Sequence, residues 1–129
     1  MNIEECVSAY LEASTGIHDL IANRIYPIKL PQNPTLPAVT YRVISGMEHH
    51  NIDVAYPRFQ FDCWGESYGN AKEVAYEIKE AFQRKKSVIG GTSGKAMIQG
   101  VILNEIDMSY DMDTSLYGIY VDVRIIYRK

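Results

Sequence analysis

The sequence predicts an α+β fold in the order α-β-β-α-β-β, with a mainly antiparallel four-stranded sheet and two main helices packed on one face of it. Three observations lead there. Apolar residues recur with helical period near the N-terminus and over residues 67–82, while residues 38–45, 55–64, 97–110 and 117–127 carry β-type runs. The strands arrive in pairs, as antiparallel hairpins do, and helices then cover one side of the sheet. A chain of 129 residues, 47% hydrophobic and 22% charged, has the size and composition of one globular core, so residues 1–129 read as a single domain.

In the first helix Ile3, Cys6, Val7, Tyr10 and Leu11 share one side, Asn2 is placed to cap it, and Glu4 and Glu5 lie in the first turn, where the helix dipole favours anions. Thr15 is the expected cap of a shorter helical piece carrying Ile17, Leu20 and Ile21. From Tyr26 to Pro37 the prolines and the lack of period give an extended connection, ordered by Ile28 and Leu30. Val39, Tyr41 and Val43 alternate with Thr40 and Arg42 in the first predicted strand, and residues 46–53 form its turn. In the second, Phe59, Phe61 and Cys63 take one face and Arg58, Gln60 and Asp62 the other, with Pro57 at an edge or at the strand's start.

Ser67 caps the clearest helix, whose Ala71, Val74, Ala75, Ile78, Ala81 and Phe82 keep helical spacing, and Arg84, Lys85 and Lys86 complement its C-terminal dipole. Residues 87–95, rich in glycine, are read as a mobile loop. The last strand alternates strictly through Ile119, Val121, Val123, Ile125 and Tyr127. The expected meeting of helix and sheet is Phe59, Phe61, Val74, Ile78, Val121 and Val123.

Several patterns look chemical and fall short. Gly90-Gly91-Thr92-Ser93-Gly94-Lys95 has Ile89 and Ala96 where a P-loop needs glycine and a hydroxyl, and it leaves a helix to enter a strand, the reverse of the phosphate-binding order. Asp111-Met112-Asp113-Thr114-Ser115 begins like a calcium loop, yet Leu116 and Asp122 stand where glycine and a bidentate glutamate belong. His49 and His50 are adjacent and lack a Cys or His partner at metal-binding spacing. Cys63 has no neighbouring base to make a thiolate, and no serine sits in a nucleophile elbow. No catalytic residue, cofactor or metal is therefore expected.

A net charge of -3 with scattered basic residues gives no footprint for gripping nucleic acid. No apolar run approaches the roughly 20 residues that cross a bilayer, and no secretory leader opens the chain. The expected setting is cytosolic, with Cys6 and Cys63 as buried thiols. The ten tyrosines suit both half-buried strands and protein interfaces.

Four pieces of sequence, in this order, resemble the tail-completion, or tail-terminator, family of long-tailed bacteriophages and prophages. They are Asn23-Arg24-Ile25-Tyr26-Pro27; Leu30-Pro31-Gln32 with Leu36-Pro37-Ala38-Val39-Thr40-Tyr41; Arg58-Phe59-Gln60-Phe61-Asp62-Cys63-Trp64 with the helix that follows; and Val121-Asp122-Val123-Arg124-Ile125-Ile126-Tyr127. The resemblance implies a non-enzymatic subunit at the head-tail junction of the virion, assembled in the host cytoplasm. It implies a ring, sixfold on a tail tube, with the tube protein and the head-completion or connector protein as further partners. Candidate contact residues are His49, His50 and Asn51 in one polar turn and Asp111, Asp113, Thr114 and Tyr117 in the other. The rival readings are another virion assembly factor, such as a head-completion protein or a tail assembly chaperone, and a small ligand-binding α+β domain.

Overall fold

The computed structural model describes residues 3–46, 51–91, 94–107 and 116–128. Helix α1 (Ile3–Ala13) buries Cys6, Val7 and Leu11. The expected cap at Asn2 lies outside the described residues. Helix α2 (Thr15–Ile21) buries Ile17 and Ile21, and its N-cap is Ser14, one residue before the predicted Thr15. Ser14 makes no capping bond, because its Oγ turns back to donate to the Tyr10 carbonyl at 2.8 Å. Helix α3 (Tyr68–Phe82) starts as predicted, with the Ser67 side chain accepting from the Asn70 N–H at 3.1 Å.

The strands are β1 (Ile25–Pro27), β2 (Ala38–Ser45), β3 (Val54–Ala55), β4 (Arg58–Gly65), β5 (Lys86–Gly91), β6 (Gly94–Asp107) and β7 (Tyr117–Arg128). They form one seven-stranded sheet in the order β1-β2-β4-β7-β6-β5, with β3 pairing to β7 beside that path. Only the β1–β2 pair is parallel.

The class is therefore mixed α and β, but the predicted four-stranded sheet and its α-β-β-α-β-β order are corrected. All four predicted strands are present, as β2, β4, β6 and β7, and three short ones join them. β1 lies in the proline-containing segment read as an extended connection. Arg24 fastens this segment, donating from Nε to the Pro37 carbonyl at 2.9 Å and from Nη2 to the Leu20 carbonyl at 3.1 Å. Ile28 does not order the connection through burial, since its side chain is 69% exposed.

The predicted mobile loop 87–95 is likewise corrected. Lys86–Gly91 pairs antiparallel with β6, in a register that sets Val88 against Met97 and Gly91 against Gly94. Glycines 90 and 91 hid this strand, because they weaken the β signal while leaving the backbone free to pair. Residues 92 and 93 lie outside the described residues. Pro57 is buried just before β4, where its carbonyl accepts from the Ile125 N–H at 3.0 Å.

The core lies between the helices and one face of the sheet. α3 packs on β4, β7 and β6, α1 packs on β5 and β6, and α2 touches both other helices. Phe59, Phe61, Val74, Ile78, Val121 and Val123 are all fully buried, as expected. Phe61 stacks between Phe59 and Phe82 with ring centroids 5.9 and 5.6 Å away, and Tyr10 meets Phe82 edge-on at 5.5 Å. Burial of these side chains is the main stabilising term, at about 1.5–3 kcal/mol for each large apolar group. Close approach of α3 to β6 depends on Gly100, where a Cβ would come 2.6 Å from the Phe82 carbonyl oxygen. The Gly100 N–H donates to the Lys85 carbonyl at 2.8 Å, which ties the end of α3 to the strand.

Candidate functional site

Side chains alternate across a strand, so the apolar face that receives the helices leaves a second set of residues on the opposite face. On β4 that set is Arg58, Gln60, Asp62 and Trp64, and on β7 it is Tyr120, Asp122, Arg124 and Ile126. Registered pairing of β4 with β7 sets Gln60 opposite Asp122, Asp62 opposite Tyr120, and Arg58 opposite Arg124. β2 adds Thr40 and Arg42, the latter opposite Gln60.

This polar face is unusually buried for one away from the described helices. Thr40 is 2% exposed, Asp122 5%, and Gln60 and Asp62 9% each. Polar groups held this far from water need partners, and most have them. Arg58 Nη2 donates to Asp122 Oδ2 at 2.7 Å, Gln60 Nε2 to Asp62 Oδ1 at 2.7 Å, and Trp64 Nε1 to Thr40 Oγ1 at 3.0 Å.

The remainder do not. Asp122 Oδ1, Arg58 Nε and Arg124 Nε are buried without a hydrogen-bond partner among the described residues. The Arg124 guanidinium sits 5.8 Å from the centre of the Tyr56 ring, a cation–π contact that offsets some of its desolvation. Directly opposed like charges, as in the Arg58–Arg124 pair, destabilise a sheet. Burial raises the carboxyl pKa of Asp62, and the Asp122 charge raises it further, against the Gln60 hydrogen bond and the charge of Arg42.

The helix side has its own polar contacts. Lys72 and Lys79 of α3 reach Glu105 at 2.9 and 3.3 Å. The hydrogen bond from Lys72 chiefly holds the Glu105 carboxyl below its usual range. Glu105 reaches this side because the register of β6 against β7 shifts between Ile102 and Asn104. Cys6 and Cys63 are buried in the core and not joined in a disulfide, and burial pushes the Cys63 thiol far up, which makes it a core residue and a poor nucleophile. Among the described residues no group of three or more His, Cys, Asp or Glu side chains could hold a metal, and no helix is long and apolar enough to cross a membrane.

The residues singled out from sequence are divided. His49, His50, Asp111, Asp113 and Thr114 lie outside the described residues. Asn51 is exposed in the turn before β3, and Tyr117 is half-buried against the core at the start of β7. The tyrosines split between the two sides: Tyr117 and Tyr127 pack against the core, while Tyr120 belongs to the polar face. A shallow apolar groove of about 610 Å³ runs between Leu30, Pro31, Pro34 and Leu36 and the side chains of Glu66 and Leu116.

Sequence reasoning passed over Arg58, Asp122 and Arg124 as a group. The alternating charges of Arg58-x-Gln60-x-Asp62 and Asp122-x-Arg124 were visible, but a charged residue on a strand ordinarily faces water, and only the pairing of β4 with β7 brings these together.

A family model, that of tail completion protein gp17, matches residues 5–128. No curated protein matches the chain. Among solved structures, a chain of the "Virion of native gene transfer agent (GTA) particle" superposes with a TM-score of 0.68 at 14% identity, covering 93% of this chain and 90% of that one. At that identity the likeness concerns the fold.

Proposed function

This chain belongs to the family of tail completion protein gp17, and from that premise we propose that it is a structural, non-enzymatic part of a phage or prophage tail that caps the tail tube and forms the surface to which the head connector docks. The observation that carries the reading is the family match over residues 5–128, nearly the whole chain. The structural likeness to a chain of a gene transfer agent virion supports it.

In this reading the protein acts as one domain at the head-tail junction, after assembly in the host cytoplasm. Its partners are further copies of itself in a ring, sixfold on a tube, then the tube protein and the connector. Head-to-tail contacts between copies close into rings. Contacts of under about 1,200 Å² are weak one at a time. A tube end that gathers copies raises the effective concentration of each next neighbour, which confines ring closure to a finished tube. His49, His50 and Asn51, and Asp111, Asp113, Thr114 and Tyr117, are the proposed contact residues toward these partners.

The test uses purified tail tubes made without this protein. Adding the chain is expected to cap them and restore head joining. A variant reversed in charge at Asp111 and Asp113 is expected to stay folded and fail to cap. Tubes that join heads equally well without the chain would overturn the reading.

A further inference from the structure

Two surfaces of the described residues differ in charge. Along the outer surface of α3, Glu73, Tyr76 and Glu80 are exposed at spacings that place them on one side of the helix, with Tyr76 56% exposed. α2, which touches α3, adds an exposed Asp19. The lysines of α3, Lys72 and Lys79, share the one carboxylate of Glu105, which leaves a net +1 there against the acidic Glu73, Glu77, Glu80 and Asp19.

The opposite side is the reverse. Among the described residues, the face of the sheet away from the helices carries Arg42, Arg58, Arg124, Lys86 and Arg128 against Asp62 and Asp122, the latter ion-paired to Arg58. Beside the arginines lies an apolar patch. Val88 and Met97, registered partners on β5 and β6, are 57% and 56% exposed, and Val101, opposite Arg124, is 37% exposed.

We propose that two copies of this chain dock through unlike surfaces, the helix-free sheet face of one receiving the outer side of α3 of the next. The occupant follows from complementarity. An apolar centre flanked by arginine and lysine meets an exposed tyrosine flanked by glutamates. The same sorting opposes contact between like faces, since two sheet faces would set arginines and lysines of one copy against those of the other. A contact between unlike faces is head-to-tail, and repeated with a closing rotation it makes a ring. The inference deepens the tail-ring reading by assigning the surfaces, and it rests on that reading for its setting.

The experiment measures self-association by sedimentation at low ionic strength, and binding to tail-tube ends, for the wild type and three variants. Glu73→Lys with Glu80→Lys reverses the helix side, Arg124→Glu with Lys86→Glu reverses the sheet side, and the third variant carries all four changes. Each single-side variant is expected to associate at least about tenfold more weakly, with the loss of affinity in the wild type reproduced by added salt. The four-fold variant is expected to regain association, since both surfaces change sign together.

Unfolding midpoints equal to wild type qualify each variant. Where Arg124→Glu lowers the midpoint, Lys86→Glu with Arg128→Glu, both exposed positions, takes its place in the sheet-side and combined variants. Single-side variants that associate like wild type, or a combined variant no better than either, would overturn the pairing of these surfaces. So would a wild type showing no association at about 1 mM, where the weakest specific contacts register. Rings that form on tubes regardless of these reversals would remove the pairing and leave the tail role standing, whereas failure of every variant and of wild type to join a tube would remove the tail role itself.

Discussion

On one side of β4, Phe59, Phe61 and Cys63 are fully buried beneath α3; on the other, Arg58, Gln60, Asp62 and Trp64 carry their polar groups onto a face with no described helix above it. The two faces differ in how completely they are satisfied. The inner one is closed by rings 5.6–5.9 Å apart, with Ser87 Oγ the buried polar atom left without a hydrogen-bond partner there among the described residues. The outer one holds buried nitrogen and oxygen atoms of Arg58, Asp122 and Arg124 that have no hydrogen-bond partner among the described residues. Such groups cost about 1–3 kcal/mol each, a cost the inner face must offset. The contrast teaches that folding rests on the inner residues of each strand, while exposed outer residues such as Val88 and Met97 have no core to fill.

The sharpest way to break that contrast is to damage the inner face. Ile78→Ala removes a fully buried side chain where α3 meets the sheet and is expected to cost about 2–5 kcal/mol, through lost transfer energy and the cavity left behind. Chemical denaturation checks it; an unchanged midpoint would show that this helix does not anchor the core. Next in size is Gly100→Ala. Its methyl would lie 2.6 Å from the Phe82 carbonyl oxygen, so α3 must shift, at about 1–3 kcal/mol in thermal unfolding.

The outer face was harder to read from sequence than the inner one. Val39, Phe59, Phe61, Val121 and Val123 announce their strand face by strict alternation with polar neighbours, and Ser67 announces α3 by its capping hydroxyl. β3, of two residues, and β1, which ends in Pro27, are too short or too constrained to show any period, and their place in the sheet comes from pairing to β7 and β2. The polar face is a tertiary product. Arg58 and Asp122 are far apart in the chain, and neither residue predicts the other until β4 and β7 lie side by side. The proposed contact turns were visible as polar segments at strand ends, yet being polar does not distinguish a docking loop from a solvated one.

Smaller effects sharpen the comparison through pH. Burial raises the Asp62 pKa in the folded chain, so the fold holds this proton more tightly than the unfolded chain does. The stabilisation from that proton is complete below the ordinary carboxyl pKa, about 3.9, and is lost as pH rises through the raised value. Asp62→Asn, which keeps an acceptor for Gln60, is expected to be more stable than wild type at about pH 7 and to lose that advantage at about pH 3, by unfolding midpoints.

Glu105 behaves in the opposite sense. Its pKa is lowered by the hydrogen bond from Lys72 and by Lys79, so its contribution is present above the ordinary glutamate pKa, about 4.3, and fades as pH falls through the lowered value. Glu105→Gln is expected to cost under about 1 kcal/mol near neutral pH, since both lysines are partly exposed, and nothing in strong acid.

The division between a folding face and a docking face is tested most directly by oxidative footprinting of the chain, free and bound to tail-tube ends. Met97 is 56% exposed on the helix-free face and, as a methionine, oxidises readily when water reaches it. The account predicts that binding protects Met97 together with Val88 on the adjoining strand, while the buried inner residues stay unreactive in both states. Met97 oxidising as fast on the tube as in free solution, with protection confined to other surfaces, would contradict it.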